Sequence, residues 1–130
     1  MQDYIYEIEL KVRDYECDIQ GVVNNANYQH YLEHARHEYL ITKGFSFAEL
    51  TRQGIILMVS RIEMDFKRPL TSRDLFKVKI RPERQGAKLI FFQDIYRLDD
   101  DALCLKAKVE AIAKVNDKLS RGEIFDTIIQ

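Results

Sequence analysis

The chain has 130 residues, with 20 Lys and Arg against 21 Asp and Glu and a net charge of −1. That length suits one domain, residues 1–130, with a single core, and the near-zero charge argues against a nucleic-acid-coating role, which needs a basic excess. No run is long enough to span a membrane, and the opening residues alternate and carry charge where a signal peptide needs an apolar stretch. Cys17 and Cys104 then read as free thiols of a cytoplasmic protein. Two isolated cysteines do not make a metal site.

Residues 4–13 alternate. Tyr6, Ile8, Leu10 and Val12 point one way and Glu7, Glu9, Lys11 and Arg13 the other, which predicts a strand with one wet face. Residues 14–27 lack a period and contain Gly21, so they form a loop or turn. Tyr28, Tyr31, Leu32, Ala35, Tyr39 and Leu40 fall on one face of a helix. Asn25 or Asn27 suits its start. Lys43 suits the negative end of its dipole and Gly44 the left-handed position beyond it. Ser46 and Glu49 have capping-box spacing and open a short second helix that stops before Gly54.

Strands follow. Residues 55–67 begin as an apolar run and then alternate, and Pro69 ends them. Residues 74–83 and 88–98 flank a turn at Gln85–Gly86. Three aspartates, Asp99 to Asp101, make a polar turn before a strand over 103–115. Ser120 and Glu123 repeat the capping-box spacing ahead of an apolar tail, which predicts a last short helix. Hairpin-length turns make the four-strand run antiparallel. One long helix on a five-stranded antiparallel sheet is an α+β arrangement whose open edges favour a second subunit.

The segment Val12-Arg-Asp-Tyr-Glu-Cys-Asp18-Ile-Gln-Gly21-Val-Val-Asn-Asn-Ala-Asn-Tyr28, with Tyr31, Glu33, Ala35 and Arg36, resembles the hotdog-fold acyl-CoA thioesterases of the 4-hydroxybenzoyl-CoA thioesterase type. Asp65-Phe-Lys-Arg-Pro69-Leu followed by Asp74 is similar to that family's second and third strands. The segment from Val23 to Tyr28 also looks like the acyl-ACP thioesterase branch. The resemblance implies a long central helix wrapped by the sheet, and a homodimer or homotetramer in which two sheets join and sites lie at the interface. It implies Asp18 as the catalytic carboxylate and the backbone N–H near Asn25 as the group that polarises the thioester carbonyl. Two positions depart from the pattern. Many members carry Tyr and His where Asn24 and Asn25 stand, and acyl-ACP enzymes carry a His where Val22 stands.

Thioester hydrolysis needs a nucleophile or an activated water, and a donor for the oxyanion. A helix N-terminus offers unpartnered N–H groups, and a carboxylate just ahead of it can attack directly or deprotonate water. The expected product is a free acid and CoA, with no cofactor or metal. The rivals are an acyl-ACP thioesterase and a non-catalytic acyl-thioester binding protein. Asp14 and Glu16 read as solvated loop charges, and Glu33 and Glu38 as second acids, with Glu33 able to pair with His37. At least one of Asn24 and Asn25 is expected to line the site. Lys67, Arg68, Arg84 and Lys88 are the cations offered to coenzyme A phosphates. Ser60 is a candidate substrate contact, and Met58, Phe66 and Tyr28 are candidate walls of an acyl pocket. His30 and His34 match a short zinc-binding spacing, but the histidines read better as surface groups. Cys17 has no histidine near it in sequence to act as its base.

Overall fold

The computed structural model describes residues 3–129. Strand β1 is Tyr6–Lys11, shorter at both ends than the alternation predicts. A 3-10 turn at Asp14–Glu16 follows, then helix α1, Asn25–Thr42, and helix α2, Phe47–Arg52. Strands β2, Ile55–Phe66, β3, Leu75–Gln85, β4, Lys88–Arg97, and β5, Leu103–Val115, come next. The two-residue β6, Lys118–Leu119, and helix α3, Ile124–Ile129, close the chain.

The sheet order is β1-β3-β4-β5-β2, with β6 also on β5, and every pairing is antiparallel. This corrects one expectation. Strands β2 and β3 are not a hairpin, because residues 67–74 carry the chain across the start of α1 to β1's partner position. Pro69 lacks the N–H a ladder needs, so pairing stops there.

Helix α1 lies on the inner face of the sheet. All six apolar positions of its predicted stripe are buried, and Arg36 is buried with them. Tyr31 packs on Phe76 at 4.7 Å between ring centroids, and Tyr39 packs on Tyr6 at 5.6 Å. Each such side chain contributes about 2 kcal/mol of hydrophobic stabilisation. The Tyr39 hydroxyl donates to the Ile128 carbonyl at 2.7 Å, and burial pushes its pKa up to about 12. Phe125 and Ile128 of α3 are fully buried. The second capping box does not form, since Ser120 Oγ accepts from Gly122 N–H and not from Glu123. The Ser46 cap does form: its Oγ accepts from Glu49 N–H.

The free edge of β2 carries apolar side chains into solvent, with Ile56 at 50%, Val59 at 45% and Phe66 at 46% exposure. The same strand also exposes the charges Arg61, Glu63 and Asp65, the kind of residue that blunts a free edge.

Candidate active site

The loop before α1 is a small closed unit. Cys17 and Val23 form an antiparallel bridge, Asp18 N–H donates to Val22 O at 2.9 Å, and Gly21 N–H donates to Asp18 O at 2.9 Å. Gly21 has φ +82°, the left-handed conformation that closes this turn without a Cβ penalty. One Asp18 carboxylate oxygen accepts Gln20 N–H at 2.9 Å. The other has no partner among the described residues, and the side chain is exposed. A bridge from Val22 to Thr71, and a 2.8 Å bond from Val23 N–H to Leu70 O, tie the loop to the 67–74 crossover.

Glu16 anchors this loop. It is 8% exposed and accepts from Arg13 N–H at 2.8 Å, Arg13 Nη1 at 3.0 Å and Tyr31 Oη at 2.7 Å. Its carbonyl accepts Asn24 N–H at 3.0 Å and Asn27 Nδ2 at 2.7 Å. Burial pushes its carboxyl up, and the Arg13 and Tyr31 donors outweigh that and hold it below the ordinary glutamate value. Glu16 is therefore a buried positioning group and not the solvated charge its loop context suggested.

Of the three asparagines able to cap the helix, Asn24 is the N-cap: its Oδ1 accepts Ala26 N–H at 2.9 Å. Asn27 N–H donates to Asn24 O at 2.9 Å. The Asn25 N–H is left with no acceptor among the described residues. Asn25 borders a groove of about 180 Å³, together with Val22, Tyr28, Phe66, Lys67 and Arg68. Five expected site residues thus meet there: Asn25, Tyr28, Phe66, Lys67 and Arg68. The two cations are exposed and make no ion pair among the described residues. Tyr28 serves both groove and core. It is 3% exposed, its ring meets Phe66 at 5.4 Å, and its hydroxyl accepts Leu70 N–H at 3.0 Å. Tyr28→Phe orphans a buried N–H and is expected to lower stability by about 2 kcal/mol. Urea unfolding measures this, and an unchanged midpoint would show the bond to be immaterial.

The other expected contacts lie elsewhere in the single chain. Ser60 is the bulge residue between Val59 and Arg61, and its Oγ bonds the Glu110 carbonyl at 3.3 Å. Met58 stands eight residues along β2 from Phe66, roughly 26 Å at strand rise, and borders a second cavity. Arg84 is engaged by Asp126 at 2.7 Å and by the carbonyls of Gly86 and Arg121, where it fastens α3. Lys88 pairs with Glu110 at 2.9 Å. Both cations sit at the β3–β4 turn, far along the sheet from the Asn25 groove, because β4 runs its whole length between them. His30 Nδ1 lies 3.2 Å from Asn27 Oδ1. His37 packs its ring on Phe47 at 4.4 Å and is not hydrogen-bonded to Glu33. Cys17 and Cys104 are free thiols, and burial pushes both up in pKa.

A family model described as the Thioesterase-like superfamily matches residues 12–119. The chain belongs to that superfamily. It is 44% identical over 108 residues to the acyl-acyl carrier protein thioesterase ATL3, chloroplastic, of Arabidopsis thaliana, a match that covers 82% of this chain and 57% of the relative. The ATL2 relative from the same organism is 41% identical over the same coverage. The chain thus spans little more than half the length of these curated relatives. It is 28% identical over 95 residues to the long-chain acyl-CoA thioesterase FadM of Escherichia coli, covering 73% of this chain and 71% of FadM. Among solved structures it is similar to the probable thioesterase YbaW of Escherichia coli, with a TM-score of 0.81, 25% identity and coverage of 95% and 96% of the two chains. The 1,4-dihydroxy-2-naphthoyl-CoA thioesterase Slr0204 of Synechocystis gives a TM-score of 0.88 over 95% of this chain and 94% of that one; at 17% identity it speaks for the fold alone. The fold is the hotdog fold expected of this superfamily. No helix among the described residues is long and apolar enough to cross a membrane.

Proposed function

We propose that this chain hydrolyses acyl thioesters to a free acid and a thiol, with Asp18 as nucleophile or general base and the Asn25 N–H as oxyanion donor. One observation carries this reading: the Asn25 N–H is unpartnered at a helix start, and Asn25 borders a groove whose wall residue Val22 is hydrogen-bonded to Asp18. Such a donor in a dry site lowers the barrier by about 3 kcal/mol. In direct attack, an Asp18 oxygen bonds the acyl carbon, the C–S bond breaks, and the thiolate takes a proton from solvent. Water then cleaves the mixed anhydride. In the base route, Asp18 takes the proton of the attacking water and the same C–S bond breaks.

In the single chain the groove is open. Two copies joined through their β2 edges would cover it and exclude water, which supports a homodimer, or a homotetramer built from such pairs. The proposed carrier is CoA, with Lys67 and Arg68 beside the groove for its phosphates. The 44% and 41% identity to acyl-acyl carrier protein thioesterases favours a second reading in which the thiol belongs to a carrier protein. The free thiols of Cys17 and Cys104 suit a reducing compartment, such as the cytoplasm.

The deciding experiment is thiol release from short, long and aromatic acyl groups, each loaded on CoA and on acyl carrier protein. Release from one carrier series at least tenfold faster than from the other assigns the carrier. Binding without release in either series would leave a non-catalytic acyl-thioester binding protein.

A further inference from the structure

A second cavity, of about 330 Å³, lies between α1, α2, β2, β4 and β5. Leu40, Phe47, Leu57 and Phe91 make much of its wall, and Glu33, Arg36 and His37 also border it. A mostly apolar cavity of this size with a few converging polar groups is the usual form of a small-molecule site. Arg36 is the unusual member. It is 8% exposed, and its single hydrogen bond among the described residues runs from Nη1 to Gln93 Oε1 at 3.0 Å. Gln93 is fully buried and uses its Nε2 on the Leu32 carbonyl at 3.0 Å. No carboxylate among the described residues lies within 4.0 Å of the guanidinium. Its counter-charge is Glu33 at longer range, and an apolar residue would pack there at less cost.

A guanidinium presents five N–H donors. No fully buried side-chain nitrogen or oxygen among the described residues lacks a partner, so the unpaired Arg36 nitrogens keep some solvent contact, and Arg36 borders the cavity. Glu33 at the cavity wall balances the charge of Arg36, which suits a neutral oxygen better than a second full anion. We infer that Arg36 is a specificity-determining residue, donating from the cavity to a keto or hydroxyl oxygen that the acyl group carries beyond its thioester carbonyl. The inference rests on the thioesterase reading and on joined β2 edges. Antiparallel joining sets the start of one β2 beside the end of the other. The Leu57 end of this cavity then lies beside the second copy's groove, within reach of an acyl group bound there.

The test compares kcat/KM for thioesters of equal chain length that are unsubstituted, keto-bearing, hydroxyl-bearing or ω-carboxylated. The wild type is expected to favour the keto or hydroxyl form about tenfold or more, and Arg36→Met to lower that ratio by about 10- to 100-fold, the size of one hydrogen bond from a charged donor. Arg36→Lys keeps the charge without the fork and should retain part of the preference. Calorimetry with the corresponding free acids reads the same preference without catalysis, and it serves if Arg36→Met does not fold. A wild type that favours the unsubstituted or ω-carboxylated group, or a ratio that Arg36→Met leaves unmoved, overturns the assignment. Absence of hydrolysis with the acid preference intact would count against the thioesterase reading alone.

Discussion

Asp18→Asn is expected to lower thioester turnover by about 10²- to 10⁴-fold, the usual loss when a positioned carboxylate is removed from proton transfer or attack. The fold should survive. Asp18 is exposed, and the Asn carbonyl can still accept Gln20 N–H as Oδ1 does at 2.9 Å. Stability is therefore expected to change by less than about 0.5 kcal/mol. Kinetics and thermal unfolding of the same preparation separate the two effects. A stable variant that keeps its activity would remove Asp18 from the chemistry and leave Glu33 and Glu38 as the carboxylates to test. Single turnover in the presence of hydroxylamine distinguishes the two routes in the wild type: cleavage of the mixed anhydride can leave a hydroxamate on Asp18, detected by mass spectrometry, whereas the base route leaves Asp18 unmodified.

Glu16→Ala is expected to destabilise the chain by about 3 kcal/mol and to lower Tm by something on the order of 10 °C. The change strips three acceptor contacts and strands the hydroxyl of Tyr31, which is 3% exposed. Tyr31→Phe removes the stranded group, so the double variant should lose less than the two single losses added together. Additive losses would show that the contact carries no coupling. The pH dependence follows from the same bonds. Glu16 is held below its ordinary value of 4.5, so the unfolded chain binds this proton more readily than the folded one. Its stabilisation is complete above about pH 4.5 and is lost as pH falls through the folded value. Asp100, held at about 2 by the Arg97 guanidinium, gives way later in the same acid titration. Glu16→Ala should therefore flatten the upper part of the acid transition and leave the lower part in place.

Much of the fold was legible because its signals are local. The stripe from Tyr28 to Leu40 repeats at helical spacing, and β3 alternates strictly. The β2–β3 relation was not legible, since a short connection looks alike whether it turns a hairpin or crosses a helix start. Only the pairing of β1 with β3 decides it. The cap could not be assigned to one residue because three asparagines compete within four positions and each can accept an N–H. Arg36 was within reach. It stands eight residues after Tyr28, on the same helical face, so an arginine in a buried stripe was visible as an anomaly. Glu16 had a weaker signal, its spacing of three from Arg13, and its second partner, Tyr31, lies fifteen residues on. Arg84 and Lys88 look like any exposed turn cations until Asp126 and Glu110 are placed beside them.

The bridge between Val22 and Thr71 also sets an order of events during synthesis. Helix α1 needs only its own backbone and can form as soon as it leaves the ribosome. The turn carrying Asp18 closes on itself through Val22 and Val23 but is not tied to the rest of the fold until residues 70 and 71 have been made, and β1 waits for β3. Strand β2 is the last of these to be paired, because its partner is β5. Contacts of such sequence separation form slowly, so the nascent chain carries a formed helix well before the Asp18 loop is anchored to the 67–74 crossover. A ribosome stalled before β5 would hold a helix with an exposed apolar face and a β2 strand still unpaired.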